Sequence, residues 1–262
     1  MQQPIFLCNA ELQNGVYILS PLNSNFEMAY QQTREKEGWL LDNAIVANLP
    51  AIEKGKPNWK MWRMRENSSK RFNRYLKKKQ SPLNILEIGS GNGWFSNAMK
   101  RTCPAANVFG LDVNLIELKQ AADVFKDENI FWLYANLFET NLPEKYFDVI
   151  VLNASLQYFE SVQTLLQRLF EILKVDGEIH LLDSPFYAID EIEGAKKRSE
   201  KYFELLKSSA MKGYYHHHSW QDLKTYFPQF FYSPNKYWNK FLATVGIYQS
   251  PFHWLVIKNP TL

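Results

Sequence analysis

Five short apolar runs recur between residues 84 and 183, most of them closed by a polar residue or glycine. They are NILEIG (Asn84–Gly89), NVFGLD (Asn107–Asp112), IFWLYA (Ile130–Ala135), FDVIVLN (Phe147–Asn153) and EIHLLD (Glu178–Asp183). Runs of this kind predict parallel strands buried on both faces. Amphipathic stretches lie between them. The clearest, Ser161–Lys174, sets Val162, Leu165, Leu166, Leu169 and Leu173 on one face, with Ser161 placed to cap it and Asp176-Gly177 to stop it. Such alternation predicts an α/β fold built on a βαβ core.

The flanks read differently. Before Ser81-Pro82 the chain predicts a β-hairpin within Pro4–Pro21 and helices over Tyr30–Leu40 and Met61–Lys79. After residue 190 come a polar helix over about Gly194–Lys207, a tract rich in aromatic residues, and one last strand at Phe252–Lys258. The expected organisation is therefore a hairpin and helical cap (1–80), a ligand-binding core (81–189), a lid insertion (190–250) and a final core strand (251–262). No internal repeat or low-complexity tract interrupts it.

Composition narrows the class without naming a ligand. A chain of 262 residues with 46% hydrophobic and 22% charged residues buries a sizeable core, which excludes a disordered or fibrous protein. No apolar run approaches the roughly 20 residues of a membrane span, and the N-terminal residues lack the basic region of a signal peptide. The expectation is a cytoplasmic protein without a membrane partner. Cys8 and Cys103 are the only cysteines, too few for a disulfide scaffold or a four-ligand zinc site. The net charge of +3 is mild, yet Lys60–Lys79 gathers nine Lys or Arg residues against one acid, Glu66.

The chemistry concentrates in ILEIGSGNGWFS (Ile85–Ser96). Glycines 89, 91 and 93 follow a strand, so the chain turns sharply and bare backbone approaches a ligand at the start of the next helix. In the dinucleotide fingerprint G-x-G-x-x-G a third glycine allows close helix packing. Trp94 stands at that position here, which argues against NAD. Glu87 precedes the loop, where its charge disfavours a pyrophosphate and accepts hydrogen bonds from an ammonium group. Asp112 ends the next strand, 19 positions after Gly93, where a carboxylate accepts from both hydroxyls of a ribose. A ribose joined to a cationic, phosphate-free end describes S-adenosyl-L-methionine.

These motifs resemble the class I S-adenosylmethionine-dependent methyltransferases, and within them the small-molecule group called type 11. The resemblance spans about Asn84–Tyr187. LEIGSGNGWFS is similar to that family's first motif, GLDVN (Gly110–Asn114) to its ribose-binding strand end, and ANLFE (Ala135–Glu139) to its adenine-binding segment. FDVIVLNASLQYFES (Phe147–Ser161) resembles its fourth-strand motif, and ILKVDGEIHLLDSPFY (Ile172–Tyr187) the helix and strand that follow. The resemblance implies a Rossmann-like methyltransferase fold, doubly wound with a mostly parallel seven-stranded sheet, and a cofactor site made of Glu87, Gly89, Gly91, Gly93, Asp112, Val113, Asn136, Leu137 and Asn153. Asn136 stands where many members carry an Asp. PIFLCNAELQNGVYILSP (Pro4–Pro21) resembles the zinc-ribbon leaders of some methyltransferases, reduced to Cys8, which implies a hairpin without zinc and no metal site. The resemblance also places the helix Met61–Lys79 over the cofactor cleft, as leading helices lie in this group.

Methyl transfer from a sulfonium needs alignment and water exclusion more than a base. Where the acceptor must lose a proton, the catalytic candidates are Tyr158, Asp183, Tyr187, His216 and His218. GYYHHHSWQDL (Gly213–Leu223) is expected to form a lid over a small-molecule acceptor, with His216 or His218 facing inward. Two other readings stand beside this one. The basic run at 60–79, with Trp62, Phe72 and Tyr75 interleaved, suits an rRNA or tRNA methyltransferase. A methyltransferase-like fold that binds without catalysis is the third, opposed by the intact glycines and Asp112. The oligomeric state is open.

Overall fold

In the computed structural model, residues 4–22, 24–79 and 82–259 are described. The boundary expected at Ser81 and the chain ends at 1–3 and 260–262 lie outside the described residues. A hairpin, Glu11–Gln13 (β1) and Val16–Ile18 (β2), is followed by helices Ser24–Lys36 (α1), Asn43–Val46 (α2) and Trp59–Leu76 (α3). The core then alternates: Asn84–Ile88 (β3), Trp94–Thr102 (α4), Asn107–Asp112 (β4), Leu115–Val124 (α5), Ile130–Tyr134 (β5), Phe147–Asn153 (β6), Val162–Ile172 (α6) and Leu173–Leu182 (β7). A two-residue strand, Phe186–Tyr187 (β8), precedes Ile189–Leu205 (α7) and pairs with His218–Ser219 (β9). Gln229–Tyr232 (β10), Lys236–Thr244 (α8) and Trp254–Lys258 (β11) complete the chain.

Among the described residues the main sheet runs β1-β2-β5-β4-β3-β6-β7-β11-β10. The seven strands from β5 to β10 form a doubly wound sheet in which β11 runs antiparallel to both its neighbours, β7 and β10, and the other pairings are parallel. The main sheet nevertheless has nine strands rather than seven, because the N-terminal hairpin docks on its edge. There β2 runs parallel to β5, with Val16 opposite Trp132. One pairing explains the difference: an exposed edge of β5 would leave unmet N–H and C=O groups, and β2 meets them.

A second departure concerns β7. Its strand begins at Leu173, directly after α6, and the register against β6 jumps from Phe147↔Leu173 to Val149↔Glu178. Residues 174–177, read from sequence as the helix end and turn, bulge out of the ladder instead.

The strand order reverses between β3 and β6, since the chain moves from β3 through β4 to β5 and then returns to build β6 and β7 on the other side. At such a point the loops beyond the strand ends diverge and leave a crevice. Helix α3 is fixed beside it by a buried polar cluster. Glu178 accepts from Tyr75 Oη at 2.6 Å and Lys79 Nζ at 2.7 Å, and His180 Nε2 lies 3.2 Å away. Burial alone would raise the Glu178 carboxyl, but the bonds from His180, Lys79 and Tyr75 hold it at about 2. Trp254 donates its indole N–H to His180 Nδ1 at 3.1 Å, which leaves the proton of this imidazole on Nε2.

The glycine loop is shaped by one ring. Trp132 of β5 lies where the Cβ atoms of Gly93 and Gly110 would stand, 2.3 Å and 2.7 Å from those positions. Gly93 also has a left-handed φ of 77°. A methyl group there meets the indole and strains the backbone, so Gly93→Ala should lower stability by about 2 to 4 kcal/mol. Urea unfolding with an unchanged slope and a lower midpoint is the expected result. A midpoint equal to that of the parent protein would show that Trp132 relaxes freely.

Candidate active site at the strand switch point

The crevice holds a cleft of about 320 Å³. Its floor is the β3–α4 loop, with Glu87, Gly89, Ser90 and Gly91, and the ends of β4, β5 and β6, with Asp112, Val113, Asn136, Leu137 and Asn153. Its cover comes from α1 and α3 and the segment between them, through Phe26, Tyr30, Arg34, Trp39, Trp62 and Arg65. Tyr158 and Phe159 from the loop after β6, together with Tyr214, close the side. These aromatic rings meet edge to face: Phe26 against Tyr158 at 6.0 Å and Tyr214 at 5.1 Å, and Tyr30 against Tyr158 at 5.7 Å.

Burial raises both carboxylates on the floor, and their hydrogen bonds differ. Glu87 is buried, 2% exposed, and accepts from Ser96 Oγ at 2.6 Å. Burial pushes its carboxyl up to about 8, against the lowering effect of Ser96 and with a further rise from Asp112. Asp112 accepts the Gly91 N–H at 2.7 Å on one oxygen and the Asn114 N–H at 2.9 Å on the other. Burial raises it too, while those backbone bonds oppose the rise. Glu117 sits under Gly91, and burial followed by the charge of Asp112 brings it to about 7. Each oxygen of Asp112 keeps a second lone pair for a ligand.

Three polar atoms of the cleft-lining residues are buried without a partner among the described residues: Ser90 Oγ, Asn153 Oδ1 and Trp62 Nε1. Buried polar groups are nearly always bonded, so these atoms mark places where a ligand completes the structure.

Not every residue expected from the sequence lies here. Gly93 is outside the cleft lining, because its role is to admit Trp132. Gly89 lines the cleft, but its missing Cβ also admits Ser155, whose Cβ lies 2.4 Å from that position and whose hydroxyl donates to the Ile88 carbonyl. Asn136 lines the cleft while its side-chain oxygen accepts the Phe138 N–H at 3.1 Å.

Of the proposed catalytic side chains only Tyr158 lines the cleft. Asp183 has a left-handed φ of 49° just past β7 and accepts from Ser68 of α3 at 2.9 Å, away from the cleft lining. His218 is buried with Nε2 3.2 Å from the Leu156 carbonyl. His216 donates its backbone N–H to the Gln157 carbonyl and lines a separate cavity with Glu160, Lys196 and Ser199. Tyr187 pairs in the short ribbon with Ser219. The expected lid over the cleft thus reduces to Tyr214, since the carbonyls of Leu156 and Gln157 hold the histidines outside it.

Phe26, Tyr30, Arg34, Trp39, Trp62, Arg65 and Glu117 are among the cleft residues that strand and motif reading missed. The one signal for the arginines and tryptophans was their mixture in the helices before the core.

Comparison with known proteins follows from this geometry. Residues 86–181 match a family model described as a methyltransferase domain. A malonyl-[acyl-carrier protein] O-methyltransferase of Acetivibrio thermocellus is 29% identical over 98 residues, 37% of this chain and 34% of that protein. An uncharacterized methyltransferase of Mycobacterium bovis is 30% identical over 95 residues, 36% of this chain and 47% of that protein. The matched segments thus span less than half of these relatives. Among solved structures, a plantazolicin methyltransferase in complex with a triazolic desmethylPZN analog and SAH superposes over 91% of this chain and 100% of its own, with TM-score 0.54 and 17% identity. Phospholethanolamine N-methyltransferase 2 of Haemonchus contortus, bound to phosphomonomethylethanolamine and S-adenosylhomocysteine, covers 91% of this chain and 61% of its own, with TM-score 0.57 and 15% identity. A parallel sheet reversing beside a glycine loop, an acid at the end of β4 and the match over 86–181 agree: residues 86–181 carry a methyltransferase domain on a Rossmann-like sheet.

Proposed function

We propose that the chain transfers a methyl group from S-adenosyl-L-methionine to a small-molecule acceptor. The observation that carries this reading is the single cleft floor that joins Glu87, the Gly89–Gly91 backbone and the Asp112 carboxylate at the strand switch point. Asp112 holds the ribose hydroxyls with its remaining lone pairs, and Glu87 faces the ammonium end. Gly91 and Val113 border the adenosine, Asn136 and Leu137 its base, and Asn153 Oδ1 and Ser90 Oγ find partners on the ligand. When bound, the cofactor supplies a sulfonium methyl with a neutral thioether leaving group. Phe26, Tyr30, Phe159 and Tyr214 exclude water and align the acceptor for in-line attack. Tyr158 accepts an N–H of Arg34 at 2.8 Å, which fixes its hydroxyl at the side of the cleft, where it can hydrogen-bond and orient the acceptor.

Two features support a small acceptor over RNA. The relatives named for malonyl-[acyl-carrier protein] and plantazolicin act on acceptors that are not nucleic acids. Much of the basic run is also engaged within the fold: Arg63 and Lys70 pair with Glu66, Arg71 stacks on Tyr232 at 3.8 Å, Lys79 pairs with Glu178, and Arg65 lines the cleft. Labelled methyl from the cofactor, offered to fractionated cell extract, is expected in nuclease-resistant material. Label in nuclease-sensitive, high-molecular-weight material overturns the choice.

Binding tests the cofactor half separately. Calorimetry should show S-adenosylhomocysteine bound at micromolar affinity or better, and Asp112→Ala should weaken it tenfold or more, since the lost two-hydroxyl contact contributes about 1.5 to 3 kcal/mol. Undiminished affinity in that variant would move the ribose elsewhere.

Glu87 gives a test by pH. Its folded-state value, about 8, lies above the ordinary carboxyl value of 4.5, so the stability it lends is complete below pH 4.5 and is lost as pH rises through 8. Glu87→Gln keeps the neutral form at every pH. Without ligand, thermal unfolding should therefore favour the variant over the parent increasingly from pH 5 to 8, by at most about 1.4 kcal/mol per pH unit. A constant difference across that range would mean that Glu87 is ionised throughout.

A further inference from the structure

An arginine is charged at every physiological pH and carries five N–H donors, so a guanidinium inside a cleft needs either acceptors or an anion. Two arginines line this cleft, and they differ. Arg34 is compensated: it donates to Glu37 at 2.7 Å and to the Tyr158 oxygen at 2.8 Å, and its guanidinium lies 4.7 Å from the Tyr30 ring centroid. Arg65 has no hydrogen bond or ion pair among the described residues, and its contacts are rings. Its guanidinium lies 4.8 Å from the centroid of Trp39 and 5.0 Å from that of Trp62, two indoles that themselves pack at 5.7 Å.

Beside it is a second unmet donor. Trp62 is 2% exposed, lines the same cleft, and its Nε1–H has no partner. An indole nitrogen only donates, so both unsatisfied groups ask for an acceptor and one of them for negative charge. Indole faces orient Arg65 without neutralising it. Burial lowers the Arg65 pKa, and the neighbouring charge of Arg34 lowers it further, so a bound anion relieves both penalties. Asp183 and Glu117 attract Arg65 at longer range, and neither hydrogen-bonds to it: Asp183 accepts from Ser68 on Oδ1, while its buried Oδ2 has no partner among the described residues.

We infer that Arg65 and the Trp62 indole N–H form an oxyanion subsite in the cleft that binds a carboxylate or phosphate group of a ligand. The inference rests on the methyltransferase reading of the cleft and adds to it the charge of the ligand group bound there. Two sources carry that chemistry, the amino-acid carboxylate of the cofactor and an anionic group on the acceptor. Either would place negative charge against α3 while Glu87 and Asp112 face the rest of the cofactor.

Titration of the full-length protein separates these cases. The probes are S-adenosylhomocysteine, 5′-methylthioadenosine, which lacks the amino-acid end, and inorganic phosphate added to protein saturated with S-adenosylhomocysteine. If the cofactor carboxylate occupies the subsite, Arg65→Met weakens S-adenosylhomocysteine tenfold or more and leaves methylthioadenosine unchanged. If the acceptor does, Arg65→Met leaves both nucleosides unchanged, while phosphate perturbs tryptophan fluorescence in the saturated parent and not in the variant. Arg65→Lys, which keeps the charge and loses the planar fork, should retain an intermediate response and serves where the Met variant unfolds. Parent-like behaviour of the substituted protein toward all three probes overturns the subsite. Failure of the parent protein to bind either nucleoside would instead overturn the cofactor reading on which it rests.

Discussion

The indole of Trp132 is the constraint on which the site depends. It fills the space that side chains at Gly93 and Gly110 would occupy, and Ala121 of α5 closes the same contact. One ring thereby sets the height of the glycine loop above β4 and the seat of α5. Its strand is paired by the N-terminal hairpin through Val16, so the edge of the sheet is braced where the ring must not move. With the loop at that height, the Gly91 N–H reaches Asp112 and the carboxylate is aimed at the cleft rather than left to rotate. The glycines are usually considered from the ligand side. In this chain two of the three are required by protein neighbours, Gly89 by Ser155 and Gly93 by Trp132.

The core was legible because its signals are local. Runs such as FDVIVLN are buried on both faces as strands, and α6 begins at Val162 behind the Ser161 cap, whose hydroxyl accepts the Thr164 N–H. Asp112 was legible for a related reason: a strand end following a glycine loop and one helix has little freedom in where it falls. The cover was legible only as a helix over the cleft, Met61–Lys79, and not residue by residue. Arg34, Trp39, Trp62 and Arg65 reach the cleft only because α1 is tied to the start of α5 by Gln31 and Asn114, and α3 to β7 by Tyr75 and Glu178. No periodicity in α1 or α3 announces those long-range bonds.

The histidines show the opposite error. Three adjacent imidazoles after the core suggested chemistry, but their positions are decided by what the loop packs against. Backbone carbonyls at Gln157 and Leu156 take the His216 amide and face the His218 ring, while His217 lies 2.9 Å from the Ser199 hydroxyl. Asp183 was expected at a strand end facing the ligand, yet a left-handed backbone turns it toward α3. In each case residue direction departs from the expectation, because direction comes from tertiary contacts.

The division of the cleft between floor and cover has a consequence for how such a chain diversifies. The floor lies within residues 86–181, the stretch that matches the methyltransferase domain, whereas Arg34, Trp39, Trp62 and Arg65 precede that stretch and Tyr214 follows it. Floor and cover are thus written in separate lengths of sequence. Substitutions in α1 and α3 alter the cover, Arg65 and Trp62 included, without disturbing the loop that Trp132 holds in place, so the shape and charge over the cleft can change while its glycine loop stays fixed.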